Sequence, residues 1–244
     1  KSIEKEVKSM IEKFNTAISS NEQIIIIENY QKIQKEYYTY SSIANLNFSR
    51  NTKSKKAIDE NNFYDQISPE ISEIDNLFTK AIDASIFKKE LEEKFGKHFF
   101  NLISMELKSF DPKLVPLMKK ENELKNKYRS LLASAEIKYK GKILNLTGLS
   151  PFMQDTNRET RKDAYKLLDN FFEKNKNELD DIFDKLVHIR NEKGKLLNFK
   201  NFIELGYLNM NRSDYGPKQV EEYRKQIVKY IVPLVQKINK KRKA

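Results

Sequence analysis

Apolar side chains recur three and four residues apart along most of the chain, which is the spacing of one helix face. The first such stripe predicts a helix over residues 1–20 and consists of Ile3, Val7, Met10, Ile11 and Phe14. A second helix is predicted from a cap at Asn21 to Ile43, through the isoleucines 24–27 that β propensity alone would assign to a strand. Residues 45–56 are polar and predict a loop or a frayed helix end before a third helix near Ala57.

Several helix starts are marked by a capping residue followed by proline, whose missing N–H costs nothing in the first turn. Ser68-Pro69 and Asp111-Pro112 have this form. Thr156 and Glu159 have the spacing of a capping box, in which each side chain bonds the other residue's backbone amide. One helix is predicted after this box and a separate one over residues 179–190.

The last predicted helix opens at Gly216-Pro217 and contains Pro233, which is expected to kink it because proline removes a helical hydrogen bond. Its inward stripe is predicted to be Val220, Tyr223, Ile227, Tyr230 and Ile231.

Period-two alternation occurs in one place, where Ile137-Lys138-Tyr139 and Leu144-Asn145-Leu146 flank Lys140-Gly141-Lys142. This pattern predicts a β-hairpin near 137–146, with glycine at the turn position that needs a positive φ. The fold class predicted is therefore mainly α, with antiparallel helices and one small hairpin. We expect a helical region over 1–135, the hairpin over 136–147 and a second helical region of the same lobe over 148–244.

Composition excludes several classes of site and partner but does not identify the function. The chain has 46 basic and 35 acidic residues, a net charge of +11 and no cysteine. The absence of cysteine excludes disulfides and thiolate metal sites and fits a cytoplasmic protein. No apolar run has the length of a membrane span. The lysines alternate with glutamates along helices instead of forming a block, so a nucleic-acid partner is not favoured.

Catalytic motifs are absent from the sequence. It contains no glycine-rich phosphate loop, no Gly-x-Ser-x-Gly motif and no cysteine nucleophile. A zinc site needs three or four converging ligands, and the two histidines, His98 and His188, each lack a second histidine at helical spacing. Asp184 and Glu192 lie four residues before and after His188, a spacing that is compatible with binding a cation but is more typical of a solvated surface histidine.

The most informative stretch is Leu197–Tyr215, called the signature segment below. It resembles the motif Leu-Gly-[Phe/Tyr]-x-Asn-[Phe/Tyr]-x-Glu-Leu-Gly-Tyr-x-x-Met-x-Arg-x-Asp-Tyr of oligoendopeptidase F-like zinc peptidases of family M3, the thimet oligopeptidase superfamily. Asn198 replaces the usual glycine, and asparagine also adopts the left-handed conformation of a helix C-cap. Further pieces in the family's order extend the resemblance over roughly residues 98–244: 128–137, 149–164, 179–190 and 231–234.

The resemblance implies the N-terminal helical lobe of an enzyme that hydrolyses short peptides with one zinc ion. The family's His-Glu-x-x-His motif has no counterpart in this sequence. We therefore expect a region that ends before the catalytic domain, binds no metal itself and is inactive alone. Its expected partners are short peptides and the catalytic region, and it is expected to expose apolar surface where that region docks.

Four residues of the signature segment are candidates for lining the substrate channel or bracing the lobe: Tyr207, Arg212, Asp214 and Tyr215. Arg212 and Asp214 can equally form a pair that fixes the loop between two helices. The alternative function is a stand-alone α-helical module that binds peptides or a protein without catalysis.

Overall fold

A computed structural model describes residues 2–243, with side chains described from residue 4 to residue 243. Within that part the chain is mainly α-helical with one two-stranded antiparallel sheet, which confirms the predicted fold class. The helices are α1 (Ser2–Thr16), α2 (Ser20–Arg50), α3 (Lys55–Asp83), α4 (Lys88–Phe95), α5 (Lys97–Ser109), α6 (Val115–Ala133), α7 (Ser150–Met153), α8 (Arg158–Leu196), α9 (Phe202–Asn209), α10 (Pro217–Gln226) and α11 (Val232–Lys243). Short 3₁₀ turns precede α6 and α7, and a π-helical turn, Ile227–Ile231, joins α10 to α11.

The first five helices share one apolar core. Its buried members are Val7, Phe14, Ile27, Tyr30, Phe78, Ile82, Leu91, Phe100 and Ile103. Phe78 of α3 is fully buried, and its ring centroid lies 4.2 Å from that of Tyr30 and 5.6 Å from that of Phe14. The stripe predicted for α1 therefore faces this core from Val7 to Phe14, as an amphipathic helix requires, and the side chain of Ile3 lies outside the described residues.

The second helix begins and ends outside its predicted limits. Ser19, and not Asn21, caps α2, because its side chain accepts the Glu22 amide at 3.3 Å. The helix then runs to Arg50, so much of the predicted loop is helical. Ala44 and Phe48 are buried where α2 packs along α3, and this packing outweighs the weak helix propensity of the surrounding asparagines and serines.

Pro69 does not begin a helix, contrary to the sequence prediction. It lies inside α3, where the ring is fully buried. Proline has no N–H for the carbonyl of Asp65, four residues earlier. The side-chain amide of Asn122 on α6 donates to that carbonyl at 3.0 Å instead. A hydrogen bond from a neighbouring helix thus replaces the one that proline removes, and α3 continues.

Two other predicted features are confirmed with small corrections. Asp111 caps the turn at Pro112 by accepting the Lys113 amide at 2.9 Å. In the hairpin, β1 (Ile137–Tyr139) pairs antiparallel with β2 (Lys142–Leu144), so the second strand lies two residues earlier than predicted. The turn is Lys140-Gly141, with φ of 47° and 76°, which are the positive values of a type I′ turn.

The two helices predicted after Thr156 are one helix, α8, of 39 residues. No glycine or proline interrupts the helical pattern between them, so nothing forces a break. The cap is Asn157 and not Thr156: the Asn157 side chain accepts the amides of Glu159 at 2.8 Å and Thr160 at 3.2 Å. Asparagine is at least as good a cap as threonine, and here it satisfies two amides.

The last helical stretch begins at Gly216-Pro217 as predicted, but its apolar stripe is not buried. Residues 217–243, called the C-terminal rod below, run through α10, the π turn and α11 and contain no buried residue. Tyr223, Tyr230 and Ile231 are at least half exposed, because no other helix covers this face in the described chain. Before Pro233 the Val232 amide bonds the Ile227 carbonyl, so the proline is accommodated by the π turn. None of the described helices is long and apolar enough to cross a membrane.

Candidate functional site

The signature segment begins where α8 ends, and the geometry of that end explains the asparagine at position 198. Asn198 has a φ of 64°, in the left-handed region. Its amide donates to the Lys195 carbonyl at 2.9 Å, and the Phe199 amide donates to the Gly194 carbonyl at 2.9 Å. These two bonds form a Schellman motif. The interpretation of Asn198 as a left-handed cap is therefore confirmed.

Gly194 allows α9 to approach α8 closely. A Cβ atom at this position would lie 2.6 Å from the Asn201 carbonyl oxygen, which no side chain tolerates without a backbone shift. The Asn191 side chain accepts the Phe202 amide at 3.3 Å, and Asn201 caps α9 by accepting the Ile203 amide at 2.8 Å. The start of α9 is therefore fixed against the last turns of α8.

A buried ion cluster fastens the same end of α8 to α6. Glu121 of α6 has a side chain that is 8% exposed, and its carboxylate lies 2.9 Å from Lys193 Nζ and 3.0 Å from Arg190 Nε. Lys125 Nζ adds a third contact at 3.2 Å. The Arg190 guanidinium also lies over the Phe202 ring, 5.7 Å from its centroid. One arginine thus contacts both the buried carboxylate and the first residue of α9.

The electrostatics of Glu121 follow from these contacts. Burial alone would raise the pKa of this carboxyl group. The hydrogen bond and charge of Lys193, with Lys125 and Arg190, outweigh burial and lower the pKa to about 2. Glu121 is therefore ionised throughout the physiological range. Sequence reasoning missed Glu121 and Lys193, because a single glutamate among many helical charges gives no local signal of burial.

The four candidate residues lie at the far end of α9 and in the loop that follows. Tyr207 is half-buried, and its carbonyl accepts the Arg212 amide at 3.1 Å. Asn211, with a φ of 53°, closes a second Schellman motif by donating to the Leu208 carbonyl at 2.9 Å. The loop thus reverses direction through backbone bonds, without a side-chain ion pair.

Arg212 and Asp214 do not form a salt bridge in the described chain. The Arg212 guanidinium lies over the ring of Tyr215, 5.3 Å from its centroid, and Asp214 accepts the Ser213 hydroxyl at 3.2 Å. Arg212, Asp214 and Tyr215 are exposed. The loop therefore presents a stacked cation and aromatic ring beside an exposed carboxylate, groups that can bind a peptide but do not form a nucleophile and base pair.

The residues present do not fit a zinc site. His98 lies exposed on α5 and His188 lies exposed on α8. His188 Nδ1 is 3.3 Å from Asp184 Oδ2 on the same helix, as expected for a solvated surface histidine. Among the described residues no three His, Cys, Asp or Glu side chains converge as metal ligands.

Two family models match the chain. The model of the peptidase M3 N-terminal domain matches residues 1–110, and the model of peptidase family M3 matches residues 151–244. A comparison with curated proteins found no match. The signature segment lies within the second matched region, in the order that the resemblance requires. The chain belongs to peptidase family M3.

Solved structures agree with this assignment. A provisionally assigned oligoendopeptidase F from Bacillus anthracis strain Ames is 35% identical, with a TM-score of 0.95 over 98% of this chain and 44% of that one. A second provisionally assigned oligoendopeptidase F and PZ peptidase A, solved with an inhibitor, are each 31% identical, with TM-scores of 0.94 over 96% of this chain and 42% of theirs. The chain thus spans less than half the length of these relatives and has the fold of the matching part.

Proposed function

We propose that this chain is the N-terminal region of a zinc metallo-oligopeptidase that hydrolyses short peptides. In this proposal the chain walls the substrate channel, has no peptidase activity alone and docks against a catalytic region that carries the zinc ligands. Membership of family M3 supports the peptidase chemistry. We place the protein in the cytoplasm. We also propose that its organisation is a helical region over 1–135, the hairpin over 136–147 and a second helical region over 148–244.

The observation that carries the docking proposal is the C-terminal rod. Its exposed apolar side chains are Tyr223, Val228, Tyr230, Ile231, Val232, Leu234, Val235 and Ile238. Apolar side chains that are exposed together on a helical stretch with no buried residue mark an interaction surface. The structural relatives have more than half of their length outside the match. We infer that the corresponding catalytic region covers the rod.

Charged substitutions on the rod test this docking. Leu234 is 53% exposed and Ile86, on a loop distant in sequence, is 86% exposed. Leu234→Glu should therefore leave the isolated chain folded but prevent it from co-purifying with a co-expressed catalytic region. Ile86→Glu is the matched control and should co-purify normally. If both variants co-purify like the wild type, the rod is not the docking surface.

The channel role of the four candidate residues has a separate test. In a reassembled complex, Arg212→Ala and Tyr215→Ala should raise KM for short peptides while docking is unchanged, because both side chains are exposed. Tyr207→Phe and Asp214→Asn should have smaller effects that differ between peptides. Loss of docking or of chain stability without a change in KM would assign the loop a bracing role. The alternative function, a stand-alone α-helical binding module, requires that the chain bind peptides or a protein tightly without the catalytic region.

A further inference from the structure

The positive charge of the chain is concentrated in the C-terminal rod. Residues 217–243 contain nine Lys or Arg and two Asp or Glu, whereas the rest of the chain contains 37 and 33. The rod therefore carries +7 of the net charge of +11 in 27 of the 244 residues. Its last helix, α11, contains no acidic residue and five basic ones: Lys237, Lys240, Lys241, Arg242 and Lys243.

The cations of α11 are not neutralised by the chain itself. All five are exposed, and none of them forms an ion pair among residues 4–243. In α10, by contrast, Lys225 pairs with Glu221 and Glu222, each at 3.0 Å. Lys237 and Lys241 are four residues apart, a spacing at which like charges destabilise a helix. A negatively charged partner surface would remove this repulsion.

Two of these cations lie at the end of the apolar stripe of the same helix. Leu234 and Ile238 are four residues apart and are 53% and 46% exposed. Lys241 lies seven residues after Leu234, and Arg242 lies four residues after Ile238, so both continue the stripe on the helix surface. A partner that covers Leu234 and Ile238 therefore also meets Lys241 and Arg242.

The chemistry of that partner follows from the cost of covering a cation. A cation that loses its water without gaining a counter-charge is strongly disfavoured, so an entirely apolar partner surface does not fit. A second copy of this chain would bring the same five cations of its own α11, and like charges oppose such a contact. The structural relatives have more than half of their length outside the match, where we place the catalytic region.

We propose that the catalytic region meets α11 with an apolar groove that carries Asp or Glu carboxylates opposite Lys241 and Arg242. This inference rests on the proposed docking of the rod and adds the chemistry of the partner surface. The carboxylates fix the position of α11 along the groove, because a shift by one turn would press Lys241 against the part that covers Ile238. Arginine also pairs with a carboxylate through two parallel hydrogen bonds, which fixes orientation.

The salt dependence of the complex tests this proposal. The complex consists of this chain co-purified with the part of the Bacillus anthracis relative that lies outside its match to this chain. Raising NaCl from about 50 mM to about 500 mM should raise the dissociation constant at least about fivefold, because salt screens ion pairs but does not weaken apolar contacts.

Charge reversal supplies the matched variants. Lys241→Glu with Arg242→Glu should weaken the complex at low salt and reverse the effect of salt, because like charges then face each other. No residue of α11 is buried, so this variant leaves the core intact. The control is Lys55→Glu with Lys56→Glu, an exposed pair at the start of α3 that gives the same change in net charge. It should leave the dissociation constant unchanged.

The outcomes separate this inference from the docking on which it rests. A dissociation constant that does not change with salt, or equal losses for both double variants, would overturn the acidic groove, while loss of the complex in Leu234→Glu would still support docking by the rod. Absence of a complex at every salt concentration would overturn both.

Cross-linking with a carbodiimide locates the carboxylates directly, because this reagent joins an amine to a carboxylate in contact with it. Mass spectrometry of the wild-type complex should find Lys241 joined to Asp or Glu residues of the catalytic region and Lys55 joined to none of them. Lys241 joined only to carboxylates of a second copy of this chain, or to no carboxylate in an intact complex, would overturn the inference.

Discussion

Glu121→Gln tests whether the buried ion cluster at the end of α8 stabilises the fold next to the signature segment. The substitution keeps the shape of the side chain but removes the negative charge that Lys193 and Arg190 share. The Lys193 side chain is only 10% exposed, so its ammonium group would remain buried without a counter-charge. Breaking one partner of a buried pair in this way costs about 3–5 kcal/mol.

The pKa of Glu121 gives a second value for the contribution of its negative charge to the free energy of unfolding. The folded-state pKa is about 2, against an ordinary value of 4.5, and each unit corresponds to about 1.4 kcal/mol, so ionisation contributes about 3 kcal/mol. Because the folded-state pKa is lowered, this stability is fully present above the ordinary value. It is lost as the pH falls from about 4.5 through about 2.

The assay is urea unfolding followed by far-ultraviolet circular dichroism at a series of pH values. Glu178→Gln is the control, because Glu178 pairs with Lys127 across the same two helices at 3.2 Å but is 44% exposed. That exposed pair should contribute about 0–1 kcal/mol. The deficit of Glu121→Gln relative to the wild type should shrink as the solution becomes acidic. Equal losses for the two variants, or a deficit independent of pH, would refute the burial argument.

Three further predictions concern single positions, each measured as the free energy of unfolding in the same assay. Gly194→Ala should cost about 1–3 kcal/mol, because its Cβ would meet the Asn201 carbonyl oxygen. The control Gly206→Ala should be neutral or slightly stabilising, because its Cβ would meet only Phe202 ring carbons, the nearest at 3.4 Å; equal losses for the two variants would contradict the close approach of α9 to α8. Asn198→Ala should cost about 1 kcal/mol because of its positive φ, and Asn198→Gly should cost nothing; a cost for the glycine variant would count against the Schellman cap. Asn122→Ala should cost about 1–3 kcal/mol in the wild type but much less when Pro69→Ala restores the missing amide; additive losses would show that the two groups do not share one carbonyl.

Local chemistry made part of the fold predictable from sequence. Asp111 and Asn198 act at positions where one side chain or one φ angle decides the structure, and both were interpreted correctly. The hairpin was recognised for the same reason, from Gly141 in its turn. These signals act over a few residues and do not depend on what packs nearby.

The errors arose where a distant residue changes the local preference. Pro69 carries a helix-start pattern, yet Asn122, far along the chain, supplies the hydrogen bond that lets α3 continue. Glu121 is unremarkable in sequence, and only the packing of α6 against α8 makes it the centre of a buried cluster. The stripe containing Tyr223 is predicted to face inward but is exposed, because periodicity identifies an apolar face and not what covers it.

We propose that this chain forms the non-catalytic wall of an M3 peptidase. Hydrolysis of a quenched fluorescent peptide in the presence of zinc tests this proposal. The reagents are the chain alone, the part of the Bacillus anthracis relative that lies outside its match to this chain, and the two co-expressed. We expect no hydrolysis above background by the chain alone and clear hydrolysis by the co-purified pair. Turnover by the chain alone, or a pair that co-purifies but is no more active than its separate parts, would refute the proposal.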